Sequence, residues 1–416
     1  MKTNGLRVLV CGAGFGGMAA VAELKRSGAG VTFLDANLYS TFQPLLYQVA
    51  TAGLNPGDVS HPVGSFARRW RATYRRGELV GIDSDGQRVK LADGREFGYD
   101  YLVIATGMTA SFYGIKGAAE NTVGLYTRKD AIVLRDHFMA GLERLSEGKR
   151  DFNVTVVGGG ATGVELAGAL SELRDVVLRS TFPDVDRDRL HVRLVEMAPS
   201  LLTPYPERLR DYTLNQLRRR GVDVQLNTRI DAVTPDQVIL GSSAEPIPSD
   251  LTVWAAGVAA PPAVAGWGLP QGKNGRIIVG KDLRVQGQER IFAVGDIAIN
   301  PDDPVPQTAQ PAIQMGRHAG KQILRLARGQ ATEPFAYHDK GDMATIGRKA
   351  AVVRLHGGLQ LRGTLAWLAW LGLHLFYLLG FRNRITTLIN LSWRYLAWGH
   401  GGVVIVGDEP TEPVTK

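Results

Sequence analysis

Val8-Leu9-Val10-Cys11, running into Gly12-Ala13-Gly14-Phe15-Gly16-Gly17, is the stretch whose reading decides the fold. An apolar run of strand length ends in a G-x-G-x-x-G turn, and a helical pattern follows from Met18 to Arg26. A second apolar run, Val31-Thr32-Phe33-Leu34, ends on Asp35, eighteen residues beyond Gly17. The three glycines have separate tasks: a tight turn, close approach of a pyrophosphate, and packing of helix on strand. The pyrophosphate rests on the helix N-terminus, where free N–H groups and the dipole favour an anion. Asp35 would accept hydrogen bonds from ribose hydroxyls. The motif alone is weak, but strand, turn, helix, strand and acid together predict a dinucleotide site.

The pattern recurs. Val154-Thr155-Val156-Val157 leads into Gly158-Gly159-Gly160-Ala161-Thr162-Gly163, a helix is expected over Val164–Leu173, and the strand Val192–Val195 ends on Glu196. The longer spacing to this acid reads as an insertion over about Asp175–Arg189. A closing strand also occurs twice, as Asp100–Ile104 followed by Ala105-Thr106-Gly107 and as Asp250–Trp254 followed by Ala255-Ala256-Gly257. Short continuous apolar runs of this kind are buried strands.

Two nucleotide sites in one chain imply a relay between a tightly bound flavin dinucleotide and an exchangeable nicotinamide dinucleotide, with the protein aligning the rings and excluding water. Glu196 is followed by Met197 and Ala198, so a carboxylate stands at the ribose with no cation beside it. That favours NADH, because a 2′-phosphate needs an Arg there. A third motif, Ile291–Val294 followed by Gly295-Asp296, precedes the helix opening at Gln310-Pro311. Proline suits a first helical turn. Asp296 is placed to bond the flavin's ribityl chain, and the helix N-terminus to stabilise negative charge on a reduced ring.

The 416 residues carry a formal charge of +8 and a single cysteine, Cys11. One cysteine excludes a disulfide framework, a Cys-rich zinc site and redox chemistry through a cysteine pair; no metal site is expected. Met1–Leu6 is short and polar, so no secretory signal is expected. From Met343 to Gly407 there are seven Lys or Arg, no Asp or Glu, and four of the seven tryptophans. Gly363–Gly380 is uncharged, and at eighteen residues it is marginal against the roughly 20 a bilayer span requires. In the next segment Ile385, Leu388, Ile389, Trp393, Leu396 and Ala397 share one face, while Thr386, Asn390 and Arg394 fall elsewhere. This pattern predicts an amphipathic helix lying on an anionic membrane surface, with basic residues for headgroups and aromatics at the interface. Basic residues interleaved with long apolar runs argue against nucleic acid.

Taken together these residues resemble the FAD/NAD(P) two-dinucleotide oxidoreductases and, more narrowly, the type II NADH dehydrogenases, single-chain NADH:quinone oxidoreductases that pump no protons. The specific stretches are Phe42–Thr51, Gly158–Glu165, Ala309–Gly316, Asp339–Gly347 and Gly380–Arg384. The resemblance implies FAD on the first glycine motif, NADH on the second, and reduction of menaquinone or ubiquinone near Gln310 and Gln314. Those two amides are four apart and share a helix face. It also implies polar roles for Glu165 and Lys340 near the nicotinamide and quinone. Pro311 within the Gln-x-x-x-Gln element is a mild departure.

The expected fold is α/β: two Rossmann-like domains, the NADH domain (119–257) inserted in an FAD domain (1–118 and 258–340), followed by a C-terminal membrane-binding module (341–416). The expected protein is a homodimer held peripherally, as a monotopic protein, at the cytoplasmic face of the cell membrane. The alternatives are a ferredoxin- or rubredoxin-reductase-like flavoenzyme and a non-enzymatic FAD/NADH sensor.

Overall fold

The computed structural model describes residues 5–25, 28–148, 150–241 and 245–396, apart from the side chains of Val177, Ser180 and Leu396. Arg26, Ala397 and Trp398 therefore lie outside the described residues. By contact the chain divides into two units. One comprises 1–40, 61–109 and 258–340, the other 41–60, 110–257 and 341–416.

The first unit is built on a five-stranded parallel sheet in the order Ile291–Ala293, Tyr101–Ile104, Arg7–Cys11, Gly30–Asp35, Thr73–Arg76. Val8, Leu9, Val10, Phe33, Leu102, Val103 and Phe292 are buried, as strands covered on both faces require. The glycine-turn helix, Phe15–Leu24, packs on the helix Ala309–Leu326. Small residues permit the approach: a Cβ on Gly316 would lie 2.0 Å from the Gly16 carbonyl oxygen.

The second unit repeats the sheet in the order Val123–Gly124, Leu251–Trp254, Phe152–Val157, Leu190–Val195, Val222–Gln225, again all parallel. The duplication extends further than the glycine motifs. A three-stranded antiparallel meander precedes the closing strand in each unit: Leu79–Asp83, Arg88–Leu91 and Glu96–Gly98 in the first, Ile230–Val233, Gln237–Leu240 and Ile247–Pro248 in the second. In the second unit Val157, Val195 and Trp254 of the sheet form one core with Val233, Val238 and Leu240 of the meander.

One expectation is corrected here. The helix after the second glycine turn runs over Ala161–Ser180, so the region read as an insertion from Asp175 begins as continued helix. Leu178 keeps the apolar face buried, and Arg174, also buried, donates to the Arg220 carbonyl at 2.6 Å.

The second unit ends in an antiparallel hairpin, Gly341–Gly347 with Ala350–Leu355, extended by Gln360–Arg362, and two helices, Thr364–Tyr377 and Phe381–Leu396. Among the described residues no helix is long and apolar enough to cross a membrane. The first of the pair has 14 residues, about 21 Å of helix against a hydrocarbon core of about 30 Å.

Candidate active site

The two glycine turns are built alike, bond for bond. Gly12 has φ +107° and Gly158 has φ +109°, a region open to glycine but not to other residues. The Gly12 N–H donates to the Leu34 carbonyl, and the Gly158 N–H to that of Val195. A Cβ on Gly17 would fall 1.8 Å from the Gly12 oxygen, and one on Gly163 1.8 Å from the Gly158 oxygen. By contrast, Cβ atoms on Gly14 and Gly160 would meet nothing within 4 Å. The last glycine of each motif is sterically closed and the middle one faces open space, as a diphosphate on the helix N-terminus requires.

The acids match as well. Asp35 accepts from the Ala13 N–H (2.6 Å) and the Asn37 N–H (2.7 Å). Glu196 accepts from the Gly159 N–H and, at 2.6 Å, the Ala198 N–H. Both carboxylates are thereby locked at the turn. Met197, beside Glu196, is 70% exposed.

In the first unit the structure brings Ala105, Thr106, Val294 and Ala312 to the same turn. A Cβ on Gly12 would meet the Ala105 carbonyl, and Gly16 lies against Val294 and Ala312. Among the described residues the buried Thr106 hydroxyl has no hydrogen-bond partner, which suits a donor for a bound group. Gly107 and Gly295 have positive φ. Burial pushes the Asp296 carboxyl up to about 6, against the pull of Arg276. Ala309 and Gln310 open the helix that continues through Ala312. These features fit a flavin dinucleotide. In the second unit Gly158 lies against Ala255 and Ala256, and a Cβ on Gly257 would strike Tyr113.

The two glutamines behave differently. Gln314 is engaged at both ends, its amide donating to the His338 carbonyl and accepting the His338 N–H, each at 3.0 Å. Gln310 is half-buried, and among the described residues its amide has no hydrogen-bond partner. Lys340 is exposed.

Glu165 lies in the helix Ala161–Ser180 of the second unit, partly buried, and accepts the Thr345 N–H at 3.2 Å. Burial pushes its carboxyl up to about 8, with the Thr345 N–H and the Trp370 indole working in the opposite direction. Two turns on, Glu172 accepts the Arg348 N–H. Between them Gly168 lets the helix touch the hairpin: a Cβ there would lie 2.1 Å from the Ile346 oxygen. His374 stacks on Trp370 with centroids 4.1 Å apart, and burial lowers its pKa to about 4, so it is neutral at pH 7.

Four buried residues of this unit were given no role by the sequence reading: Tyr47 and Gln48, which lie in the stretch Phe42–Thr51 that carries the resemblance, and Trp370 and Tyr395. Gln48 is the hub. Its amide nitrogen bonds the Tyr47 hydroxyl (2.8 Å) and the Tyr395 hydroxyl (3.3 Å), and its oxygen accepts from Arg394 (2.9 Å). Beyond that resemblance, the local signal was an amide within the largely apolar run Leu45–Ala50. Arg394, expected among the basic residues for headgroups, instead turns inward to this amide.

The two C-terminal helices expose an apolar face. Of the fourteen large apolar side chains exposed among the described residues, nine lie on these helices, including Leu365, Phe376, Phe381, Ile389 and Trp393. The inward positions of the second helix carry Asn383, Thr387, Leu391 and Tyr395. Asn383 donates to the Ser60 carbonyl at 2.7 Å, and Asn390 to Asp58 at 2.8 Å. In the second helix polar Asn383, Thr387 and Tyr395 face the protein beside Leu391 while Phe381, Ile385, Leu388, Ile389 and Trp393 face outward, and the first helix turns Ala366, Trp367 and Trp370 inward.

Comparison with known proteins agrees with this geometry. Residues 6–316 match the pyridine nucleotide-disulphide oxidoreductase family. The type II NADH:quinone oxidoreductase NdhA of Mycobacterium tuberculosis is 37% identical over 97% of this chain and 90% of its own length. A type II NADH:quinone oxidoreductase of Staphylococcus aureus is 30% identical over 86% of this chain and 91% of its own. In fold, the chain is similar to NDH2 of Plasmodium falciparum, solved with NADH (TM-score 0.88, 19% identity, 96% of this chain and 100% of that one). The sulfide:quinone oxidoreductase of Aquifex aeolicus shares the fold at TM-score 0.76, with 19% identity over 93% of this chain and 92% of that one. Despite the family's name this chain has one cysteine, buried Cys11, and so no redox disulfide. The chain belongs to the type II NADH:quinone oxidoreductases of the pyridine nucleotide-disulphide oxidoreductase family.

Proposed function

We propose that the first unit holds FAD, the second takes NADH, and the protein passes two electrons from NADH through the flavin to a membrane quinone without pumping protons. Bound FAD supplies the chemistry the side chains lack: it accepts a hydride and yields two electrons. The chain's own groups bind, orient and handle protons. Gly12, Gly14, Phe15, Gly16 and Gly17 cradle one diphosphate, with Asp35 at its ribose and Ala105–Gly107, Gly295, Asp296, Ala309 and Gln310 along the flavin. Gly158, Gly160 and Gly163 cradle the other, with Glu196 at the ribose and Ala256 and Gly257 beside it. Glu196 admits NADH over NADPH, since its carboxylate would repel a 2′-phosphate.

Reducing a quinone to a quinol consumes two protons. A carboxyl with a pKa of about 8 is protonated at neutral pH, and Glu165 is still partly open to its surroundings. That observation carries its assignment as a proton donor. Gln310 is the free amide for a quinone carbonyl. Gln314 supports it by fixing the backbone at His338, and Lys340 is an exposed cation beside that segment. The purified flavoprotein tests the reading under anaerobic conditions. NADH should bleach the oxidised flavin's absorbance, and a menaquinone or ubiquinone analogue should restore it. Bleaching without recovery by any quinone would overturn it.

The finer location is read from the C-terminal helices. Their apolar outer face, with Arg382 and Arg384 exposed beside it, suits the interfacial plane of an anionic bilayer on the cytoplasmic side. A second copy of the chain, as in a homodimer, is the competing cover for that face. Leu388→Ser with Ile389→Ser and Trp393→Ser should release the protein from anionic vesicles at unchanged oligomeric state. A change of oligomeric state with vesicle binding retained would assign the face to the dimer instead.

A further inference from the structure

The second sheet fixes which half of a dinucleotide lies where. The strand Phe152–Val157, which enters the glycine turn, has Leu190–Val195 on one side and Leu251–Trp254 on the other. Glu196 follows the first of these neighbours, so the adenosine ribose belongs on that side. The nicotinamide half then runs toward the exit of the other neighbour, Ala255–Gly257. The glycine turn touches that exit: a Cβ on Gly158 would lie 2.8 Å from the Ala255 oxygen and 3.0 Å from the Ala256 Cα. One residue further on, a Cβ on Gly257 would lie 1.8 Å from the Tyr113 hydroxyl oxygen. Tyr113 therefore stands over the end of the cradle away from Glu196.

The backbone holds Tyr113 there in a conformation that aromatic residues avoid. Phe112-Tyr113-Gly114-Ile115 is a turn closed by the Ile115 N–H, which donates to the Phe112 carbonyl at 2.9 Å. Tyr113 has φ +51° and Gly114 φ +71°. Positive φ at both central positions suits Gly, Asn and Asp. The flanks anchor the turn. Ser111 donates its N–H to the Gly257 carbonyl at 3.2 Å, and its own carbonyl accepts the Trp254 indole at 2.7 Å. Phe112 lies against Trp254 with ring centroids 5.6 Å apart, and both Phe112 and Ile115 pack on the core of the unit. Of the turn's side chains Tyr113 alone is exposed, at 62%, so burial does little to offset the strained backbone. Outside the two C-terminal helices, the described residues of this unit expose three large apolar side chains, Tyr113, Met197 and Leu359. Two of them, Met197 beside Glu196 and Tyr113 over Gly257, stand at the two ends of the nucleotide cradle.

We propose that Tyr113 is a nucleotide-binding residue of the second site, its ring forming the wall against which the nicotinamide half of NADH is held. The inference rests on the reading of the second unit as the NADH site and adds to it a residue that no glycine motif announces. An exposed aromatic ring gains little in the free protein and more when a flat ring covers it. The missing side chain at Gly257 leaves room for the phenol beside the cradle. The anchored turn fixes the ring in advance, so little ordering remains to be done when the nucleotide arrives.

The test uses the full-length flavoprotein with FAD bound. Anaerobic rapid mixing gives the NADH concentration at which flavin bleaching reaches half its maximal rate. ADP, which carries the adenosine and diphosphate but no nicotinamide half, is titrated as a competitor, and thermal unfolding is followed separately. Tyr113→Gly should raise the NADH requirement about tenfold, the loss of one aromatic contact. It should leave the ADP inhibition constant unchanged, and the melting temperature within about 2 °C of wild type, because glycine accepts the left-handed backbone. Tyr113→Asn, which tolerates positive φ without glycine's flexibility, should behave alike. An unchanged NADH requirement with a lower melting temperature would make Tyr113 a packing residue only. Equal weakening of ADP and NADH would place the effect on the diphosphate cradle, and wild-type NADH binding in Tyr113→Asn would place it on loop flexibility; each of these overturns the inference. Gly163→Val checks the underlying reading. If that variant alone loses NADH, the second unit remains the NADH site without Tyr113. If it too binds NADH as wild type does, the reading of the second unit falls and this inference falls with it.

Discussion

The glycine-turn helices of the two units begin from the same geometry and are put to different uses. In Phe15–Leu24 the buried residues are Gly16, Gly17, Met18, Ala19, Ala20, Val21 and Leu24, with no charged group among them. That helix is packed by another through small residues, Gly316 against Gly16 and Gly320 against Ala20 and Glu23. Its task is to hold its N-terminus still. In Ala161–Ser180 the equivalent turn continues into a face bearing Glu165, Gly168 and Glu172, set against backbone N–H groups of a hairpin. Here the helix that follows the glycine turn also sets two carboxyls against the hairpin, Glu165 partly buried and Glu172 buried. Duplication copied the glycine turn, and on the proposed reading of Glu165 divergence added proton chemistry to the helix behind one copy.

The largest expected effects come from closing the two turns in turn. Gly17→Val and Gly163→Val each put a side chain where a Cβ already lies 1.8 Å from a carbonyl oxygen. Such overlap cannot be relieved without moving the turn. If the units divide the cofactors as proposed, Gly17→Val should give protein without flavin. Gly163→Val should keep its flavin absorbance but require at least ~100-fold more NADH to bleach it, about 2.7 kcal/mol. Flavin content and an anaerobic NADH titration decide between these. Loss of flavin from Gly163→Val alone would reverse the assignment of the units.

Much of this comparison was legible in the chain itself. Both glycine turns, both acids and both closing strands follow from short motifs whose partners lie close in sequence. What escaped depends on distant partners. Gln48 and Arg394 are 346 residues apart, and no periodicity announces that they meet. Gln314 shares a face with Gln310, yet spends both amide ends on the backbone of His338. The meanders also escaped, because short half-exposed strands carry weak alternation. The C-terminal helices were readable as apolar and basic, but only the fold shows that Asn383, Thr387 and Tyr395 face inward and leave the apolar side uncovered. Such a face calls for an apolar cover, which either a lipid surface or a second copy of the chain would supply.

The smallest predicted effect is also the one that sharpens the contrast between the helices most directly. Glu165 has its carboxyl raised from 4.5 to about 8 by burial. A raised carboxyl binds its proton more tightly in the folded state than in the unfolded chain. Its favourable contribution is therefore complete below about pH 4.5 and is lost as pH rises through about 8. Thermal unfolding measured between pH 5 and 9 should show the wild type losing stability across that window. Glu165→Gln, neutral throughout, should lose less, so the two melting curves should converge at low pH and separate with the variant higher at high pH. The first helix buries no carboxyl, so Ala19→Ser in it should leave the slope unchanged even if it lowers stability uniformly. A slope that Glu165→Gln does not flatten would mean that the carboxyl is already ionised and solvated in the folded protein, and that the second helix carries no more proton chemistry than the first.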